Sequence, residues 1–397
     1  MEIRISSKLL GTSVLILLLF VAVFVDGGAE AQENQDAITA ISWSSHGTSL
    51  AVGYLNGHIE IISVGGQVQL SLVMHTARVT ELAWHPSGGW LASGSADGSV
   101  RVWDVSTGTL VRSHTGLTLI TGVSWSNDGR ELWAISLQDQ PNLFVWNAES
   151  GELIASATVG SLYDPQWNET GTSLVAGSGG TVPVIVDTDS NIGSSYLDES
   201  AFPLALGEQI FSVAWSPDGT HVAGGTPNGH VRVWNVDTAQ LIMDAGGDEH
   251  YDISKWRSSL IVELAFTAGG EQIQAIDGSG VFQAWDVTTS DLLGQEQLPM
   301  ATPPVYAAAF SPDGTQIAYG GESGALRIEP VPSSACSFTI TAGDAAGIIS
   351  AINAANANLV PDTICLAADS TYTLTAAPNT QAGVNGLPAI TTDITIV

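Results

Sequence analysis

Positive charge is what this chain has least of. Ten Lys and Arg residues face forty Asp and Glu in 397, a formal charge of −30 at pH 7. A surface so negative repels phosphate backbones and anionic headgroups, which argues against nucleic acid and anionic membranes as partners. Cysteine is almost absent, with only Cys336 and Cys365, and no HExxH, CxxC or Walker-type loop occurs. The common zinc and nucleotide-binding signatures are therefore missing. Charged residues of both signs make up 13% of the chain while glycine reaches 43 residues, a composition that fits β-structure better than disorder or long helices.

Long apolar runs are also lacking, with one exception. Leu9–Val25 follows Arg4 and Lys8 and precedes Ala29-Glu30-Ala31, the layout of a signal peptide (residues 1–31) cleaved after Ala31. The alternative is an uncleaved anchor, although the run is shorter than the ~20 residues a spanning helix usually needs. The expectation is a secreted or cell-surface protein with no membrane insertion after cleavage. Two cysteines in such a chain are expected to form one disulfide, Cys336–Cys365, with two buried thiols as the alternative.

What is present is repetition. AWHPSGGWLASGSADGSVRVWD at 83–104 recurs as AWSPDGTHVAGGTPNGHVRVWN at 214–235, with weaker copies from Ser42, Ser124 and Ala309 and degenerate ones from Gln166 and Ala265. The anchoring aromatics Trp43, Trp84, Trp125, Trp167, Trp215, Phe266 and Phe310 lie 41, 41, 42, 48, 51 and 44 residues apart. A period near forty marks a repeat architecture with insertions in two of its units. Each unit reads as four antiparallel strands. An apolar first strand meets a Ser-Pro-Asp-Gly turn, as at 216–219 and 311–314, where proline, aspartate and glycine each meet a backbone requirement. The second strand ends in Asp97-Gly98, Asn228-Gly229 or Asn56-Gly57, strong hairpin signals.

Period, turn chemistry and the dipeptides Trp103-Asp104, Trp146-Asn147, Trp234-Asn235 and Trp285-Asp286 make residues 37–331 resemble the WD40 family. The resemblance implies an all-β, seven-bladed propeller over 32–332, stabilised by neighbour stacking and ring closure. It also implies a structural hydrogen-bonded tetrad, matched best by His75, Ser93, Asp97 and Trp103. Blade three offers His114 with Trp146, and blade six His250 with Asp277 and Trp285. Blade four has Val186 and blade seven Glu329 where the Trp belongs. Too few residues precede the first strand for the usual N-terminal closure, so the outer strand of blade seven is expected from Ser337–Thr341 or is missing.

After the linker-like 329–334 the period stops. Asp344 can cap a short helix over 345–356, and strand-like pieces follow at 363–367, 371–375 and 390–397. AINAANANLVPDTICLAADSTYTLT and LPAITTDITIV resemble the entry to a right-handed parallel β-helix of the pectate-lyase-like kind, here over 333–397 and breaking off in mid-pattern. One or two coils cannot bury a core, so a truncated form is expected.

Candidate ligands are few. Asp187, Asp189, Asn191 and Asp198 alternate like a calcium loop, but Ile192 stands where glycine is needed, and a solvated acidic loop is the plainer reading. Asp244, Asp248, Glu249, His250 and Asp252 form another acidic loop of the same ambiguity. No other cofactor is expected. Propeller loops converge at the mouth where the first strands begin, which singles out Arg78, Tyr163, Phe211 and Tyr306 as binding residues, packing between blades being the alternative. The insertion residues Tyr251 and Trp256 are further candidates. The resulting expectation is a non-enzymatic scaffold, secreted or on the surface, that binds a protein, peptide or glycan. The alternative is the targeting module of a larger carbohydrate-active enzyme or adhesin. Sequence leaves the oligomeric state open.

Overall fold

A computed structural model describes residues 35–332, with breaks at 138, 160, 188–192, 197–208, 248–255, 300 and 302. Beyond them it describes the strands Phe338–Ile340, Asp362–Leu366 and Ile394–Ile396. The leader at residues 1–31, Cys336, the helix expected at 345–356 and most of the acidic loops lie outside the described residues, as do the side chains of Cys365, Asp187 and Trp256.

Residues 35–332 form a seven-bladed, all-β propeller whose sheets are consecutive antiparallel meanders, six of four strands and one of three. The first strands are Ile38–Trp43, Val79–Trp84, Ile120–Trp125, Leu162–Trp167, Ser212–Trp215, Ile261–Phe266 and Val305–Phe310. Each lies beside the next around a central axis, and the last lies beside the first. Hairpin chemistry sets each blade locally. At Asp97-Gly98 the glycine has φ +75°, and a Cβ there would stand 2.1 Å from the Leu117 carbonyl oxygen, so only glycine fits.

The cores sit between blades rather than within them. Ala92, Val100 and Val102 of blade two pack with Ile120, Val123, Trp125 and Leu132 of blade three. Ile38, Trp43, Leu50 and Val52 of blade one pack with Ala307, Ala309 and Ala318 of blade seven. Polar bonds reinforce every boundary. The anchoring indoles donate to the preceding blade: Trp84 to the Ser42 carbonyl (3.1 Å), Trp125 to Ala83 (3.0 Å) and Trp215 to Gln166 (3.1 Å). Thr121 donates to the Leu162 carbonyl (2.7 Å), Ser212 to Ile261 (3.1 Å), and the Val305 amide to Gly278 (2.8 Å). The ring closes through the same device, since Trp43 Nε1 donates to the Ala309 carbonyl at 3.0 Å.

Of the two expectations for blade seven, the strand at 337–341 is not met, and a missing outer strand is what the described residues show. Among the described residues blade seven has three strands, Val305–Phe310, Gln316–Gly321 and Arg327–Pro330. Phe338–Ile340 instead pairs in parallel with Asp362–Leu366, which pairs in parallel with Ile394–Ile396. These three strands belong to a second compact unit. Apolar side packing and one indole bond are enough to close the ring because each blade already has its ladder.

Replacing Trp43 by Phe keeps the ring packing but leaves the buried Ala309 carbonyl without its donor. The expected cost is about 1–2 kcal/mol, read as a lower midpoint of urea unfolding. Trp84→Phe should cost a similar amount, because it cuts the same bond one boundary along.

Candidate functional site: the central channel and its mouth

The first strands carry one recurrent irregularity. Pairing with the second strand skips a residue in blades one, two, three, six and seven, leaving Thr39, Thr80, Thr121, Val262 and Tyr306 outside the ladder, and in blade four it skips Asp164 and Pro165. A bulge of this kind re-aims the neighbouring side chain. In blades two and six it sits one residue before Glu81 and Glu263, three ahead of the anchoring aromatic, and in blade four it takes in Asp164 at that same position. All three carboxylates line a central cavity of about 440 Å³.

The mouth candidates Arg78, Tyr163, Phe211 and Tyr306 line the same cavity. Arg78 and Tyr163 are buried, and the Tyr163 ring packs on Phe211 with centroids 5.0 Å apart. Packing between blades accounts for those two. Phe211 and Tyr306 remain half-buried. Tyr251 lies outside the described residues, and of Trp256 only the backbone is placed, in the short helix Trp256–Ser259.

Sequence reasoning missed the three acids, although aligning the repeats on their aromatics would have exposed them. Burial pushes Glu263 well above the usual carboxylate range, and the charges of Asp164 and Glu81 push the same way. Burial and then the Asp164 charge raise Glu81. Asp164 is raised by burial despite accepting bonds from Gln166 Nε2 (2.7 Å) and the Val213 amide (2.9 Å). Three such groups in one channel favour a positive occupant, because each added negative charge is costly there.

Away from the channel, His75, Ser93, Asp97 and Trp103 form a continuous chain in blade two. Trp103 Nε1 donates to Ser93 Oγ (2.9 Å), Ser93 Oγ lies 2.8 Å from His75 Nε2, and His75 Nδ1 lies 3.0 Å from Asp97 Oδ2. With Nδ1 protonated every member has a donor and an acceptor, and the Ser93 hydroxyl is spent on Nε2. Burial lowers the His75 pKa, partly offset by the Asp97 charge. Burial would raise Asp97, but bonds from Ser99, the Thr76 amide and His75 outweigh it and hold the carboxyl low. The chain ties the start of the blade to its third strand, and Ser93 is wholly buried. In blade three His114 instead stacks on Trp146, with centroids 4.2 Å apart, and Thr118 joins Ser136 and Asp139. Blade four fills the Trp position with wholly buried Val186.

Metal candidates gain no geometry. Asp189, Asn191 and Asp198 lie outside the described residues, and Asp244 is engaged by His230 Nδ1 (2.7 Å) and Arg232 Nε (3.3 Å). Among the described residues no group of three His, Cys, Asp or Glu is arranged to hold a metal ion.

Comparison with known proteins fits this geometry. The family described as WD domain, G-beta repeat matches residues 66–104 and 205–235, and the Anaphase-promoting complex subunit 4 WD40 domain matches residues 21–74. The chain therefore carries WD40 repeats. It is similar to B-type cell cycle switch protein ccs52A of Medicago truncatula, 26% identical over 268 residues, covering 64% of this chain and 52% of that protein. Protein FIZZY-RELATED 1 of Arabidopsis thaliana is 25% identical over 270 residues, with 64% and 52% covered. WD repeat-containing protein slp1 of Schizosaccharomyces pombe is 26% identical over 214 residues, with 51% and 42% covered. The chain spans about half the length of these relatives. The likeness to a relative named a cell cycle switch protein, the cell cycle being an intracellular process, contradicts the expected secreted or cell-surface scaffold and its extracytoplasmic location. A likeness to a subunit of a protein complex favours protein over glycan as the partner class.

Ser93→Ala removes the hydroxyl that serves both Trp103 and His75, so unfolding free energy should fall by about 1–3 kcal/mol with the far-UV spectrum unchanged. A second test uses pH. Unfolded, the channel carboxyls ionise near pH 4; folded, they hold their protons to higher pH. The folded state therefore binds more protons across that interval, and stability contributed by the protonated groups is lost as pH rises through it. Glu263→Gln should raise the unfolding midpoint at pH 7.5 and leave it unchanged at pH 4.

Proposed function

We propose that this chain is a non-enzymatic interaction module whose propeller binds a protein partner at the channel mouth. The partner segment places a basic side chain among Glu81, Asp164 and Glu263 and packs apolar groups on Phe211 and Tyr306. The observation that carries the reading is the coincidence of three recessed carboxylates and half-buried aromatic rings in one cavity. Lys or Arg entering there relieves the mutual repulsion of the acids, while aromatic rings supply contact area at little entropic cost. The strongly negative surface speeds the approach of a basic segment. The match to the WD40 domain of a protein-complex subunit supports a role in protein interaction.

On the same footing, the functional domain spans 32–332, with 333–397 a separate β-helix-like element. Three short parallel strands stacked in chain order support that assignment.

Fluorescence anisotropy with a labelled basic peptide, Ac-Ala-Arg-Phe-Lys-Ala-amide, tests the mouth. Saturable binding is expected, weakened at least tenfold by Glu263→Gln and by Phe211→Ala. Equal binding by an Asp/Glu counterpart of the peptide would defeat the reading.

A further inference from the structure

At the opposite end of the propeller, where first strands turn into second strands, a groove of about 570 Å³ lies between blades two and three. Its chemistry is unlike that of the rest of the chain. Of the eight Lys and Arg beyond residue 31, two line it, Arg112 and Arg130, against a single carboxylate, Glu149, together with His85 and Trp90.

The walls are fixed. His85 Nε2 lies 3.0 Å from the Gly129 carbonyl oxygen, bridging the two blades, while Nδ1 lies 2.7 Å from Ser87 Oγ. The His85 ring meets Trp90 and Trp125 edge-on, with centroids 5.6 and 5.0 Å away. Arg112 lies over the Trp90 ring, its guanidinium carbon 5.5 Å from the centroid. Arg101 and Arg232 have carboxylate partners, Asp97 and Asp244. Arg112 has none among the described residues, and its Nη1 has no hydrogen-bond partner there. Arg130 is exposed, with Asp128 at 3.6 Å as its only ion-pair partner among the described residues.

The repeat supplies an internal control. Counting from the anchoring aromatics, the equivalent groove lies between blades five and six and is lined by Asp218 and Glu271. Glu271 stands where blade three has Arg130, Asp218 where blade two has Ser87, and buried Met243 where blade two has Arg112. The fold alone therefore requires no positive charge here; an apolar residue satisfies the Arg112 position elsewhere in the same ring.

We propose that the groove between blades two and three is a docking site for an acidic peptide segment of a protein partner, its carboxylates held by Arg112 and Arg130 over the face of Trp90. Charge complementarity selects the occupant. Guanidinium groups pair carboxylates in a directed, planar geometry. A polyanion such as nucleic acid would also meet the surrounding field of a chain at −30, whereas a short segment bringing one or two carboxylates meets much less of it. This face is distinct from the mouth, so both sites can be filled at once.

Fluorescence anisotropy with labelled Ac-Glu-Glu-Phe-Glu-Glu-amide at about 0.15 M ionic strength, where surface repulsion is largely screened, tests the site. Saturable binding is expected, weakened at least tenfold by Arg112→Gln and by Arg130→Glu, and unchanged by Glu271→Gln or by Phe211→Ala at the mouth. Arg130 is exposed, so its variant decides the matter if Arg112→Gln unfolds the blade. Absence of saturable binding, indifference to both arginine variants, equal binding of the Lys-for-Glu peptide, or displacement by inorganic phosphate at concentrations matching the free peptide would each overturn the proposal.

Discussion

Everything in this propeller depends on contacts made sideways between blades. A four-stranded meander satisfies its own backbone but leaves both faces apolar, and only two neighbours can cover them. Four anchoring indoles carry that requirement to atomic detail, Trp43, Trp84, Trp125 and Trp215 each donating to a carbonyl on the first strand of the blade before it, while Trp167 contributes by packing. Because the bond runs from blade one back to blade seven as well, the ring closes without an exchanged strand. Non-local contacts of this sort are what hold Trp43 against Ala309 across 266 residues of chain.

The same arrangement explains where the chemistry sits. Inner strands are crowded at the axis, so residues three before each aromatic either pack as Ala, Gly or Ser or face one another across the channel. Blades two, four and six place acids there, and the burial that raises their proton affinity comes from neighbouring blades rather than from any local motif. At the other end, the turns between first and second strands form grooves at the blade boundaries. Their character is set by residues from two repeats at once: Trp90 and Arg112 come from one blade, Gly129 and Arg130 from the next.

That division accounts for what could be read from the residues alone. Blade number, first strands and hairpins were legible because they are written within single repeats: a Trp every forty-odd residues, an Asp-Gly, a Ser-Pro-Asp-Gly. The chain from Trp103 through Ser93 and His75 to Asp97 was legible for the same reason. The channel acids were written in the sequence but visible only by stacking the repeats on one another. Closure of blade seven was not legible, since it rests on the fit of Ile38 and Trp43 against Ala307 and Ala309, a matter of shape rather than pattern. Location was misread from the N-terminal apolar run. An apolar segment behind two basic residues has the composition of a leader, but composition does not specify the cell compartment, and the propeller's relatives lie in another functional setting.

Charge gives the last step. With so few bases in the chain, a buried arginine needs a local reason. Arg101 and Arg232 occupy equivalent places on the third strands of blades two and five, and each meets a carboxylate supplied by its own blade. Arg112 breaks that rule: it replaces the methionine that the fold accepts in blade five, and stacks on an indole instead of an acid. A cation with no ion-pair partner among the described residues, in a molecule carrying thirty net negative charges, is compensated by the indole face and by the field of the whole surface. Both compensate partially and without direction, so the guanidinium retains its capacity to form directed hydrogen bonds. The two ends of the ring are therefore electrostatically distinct: carboxylates recessed in the channel, and arginine stacked on an indole in a groove at one blade boundary.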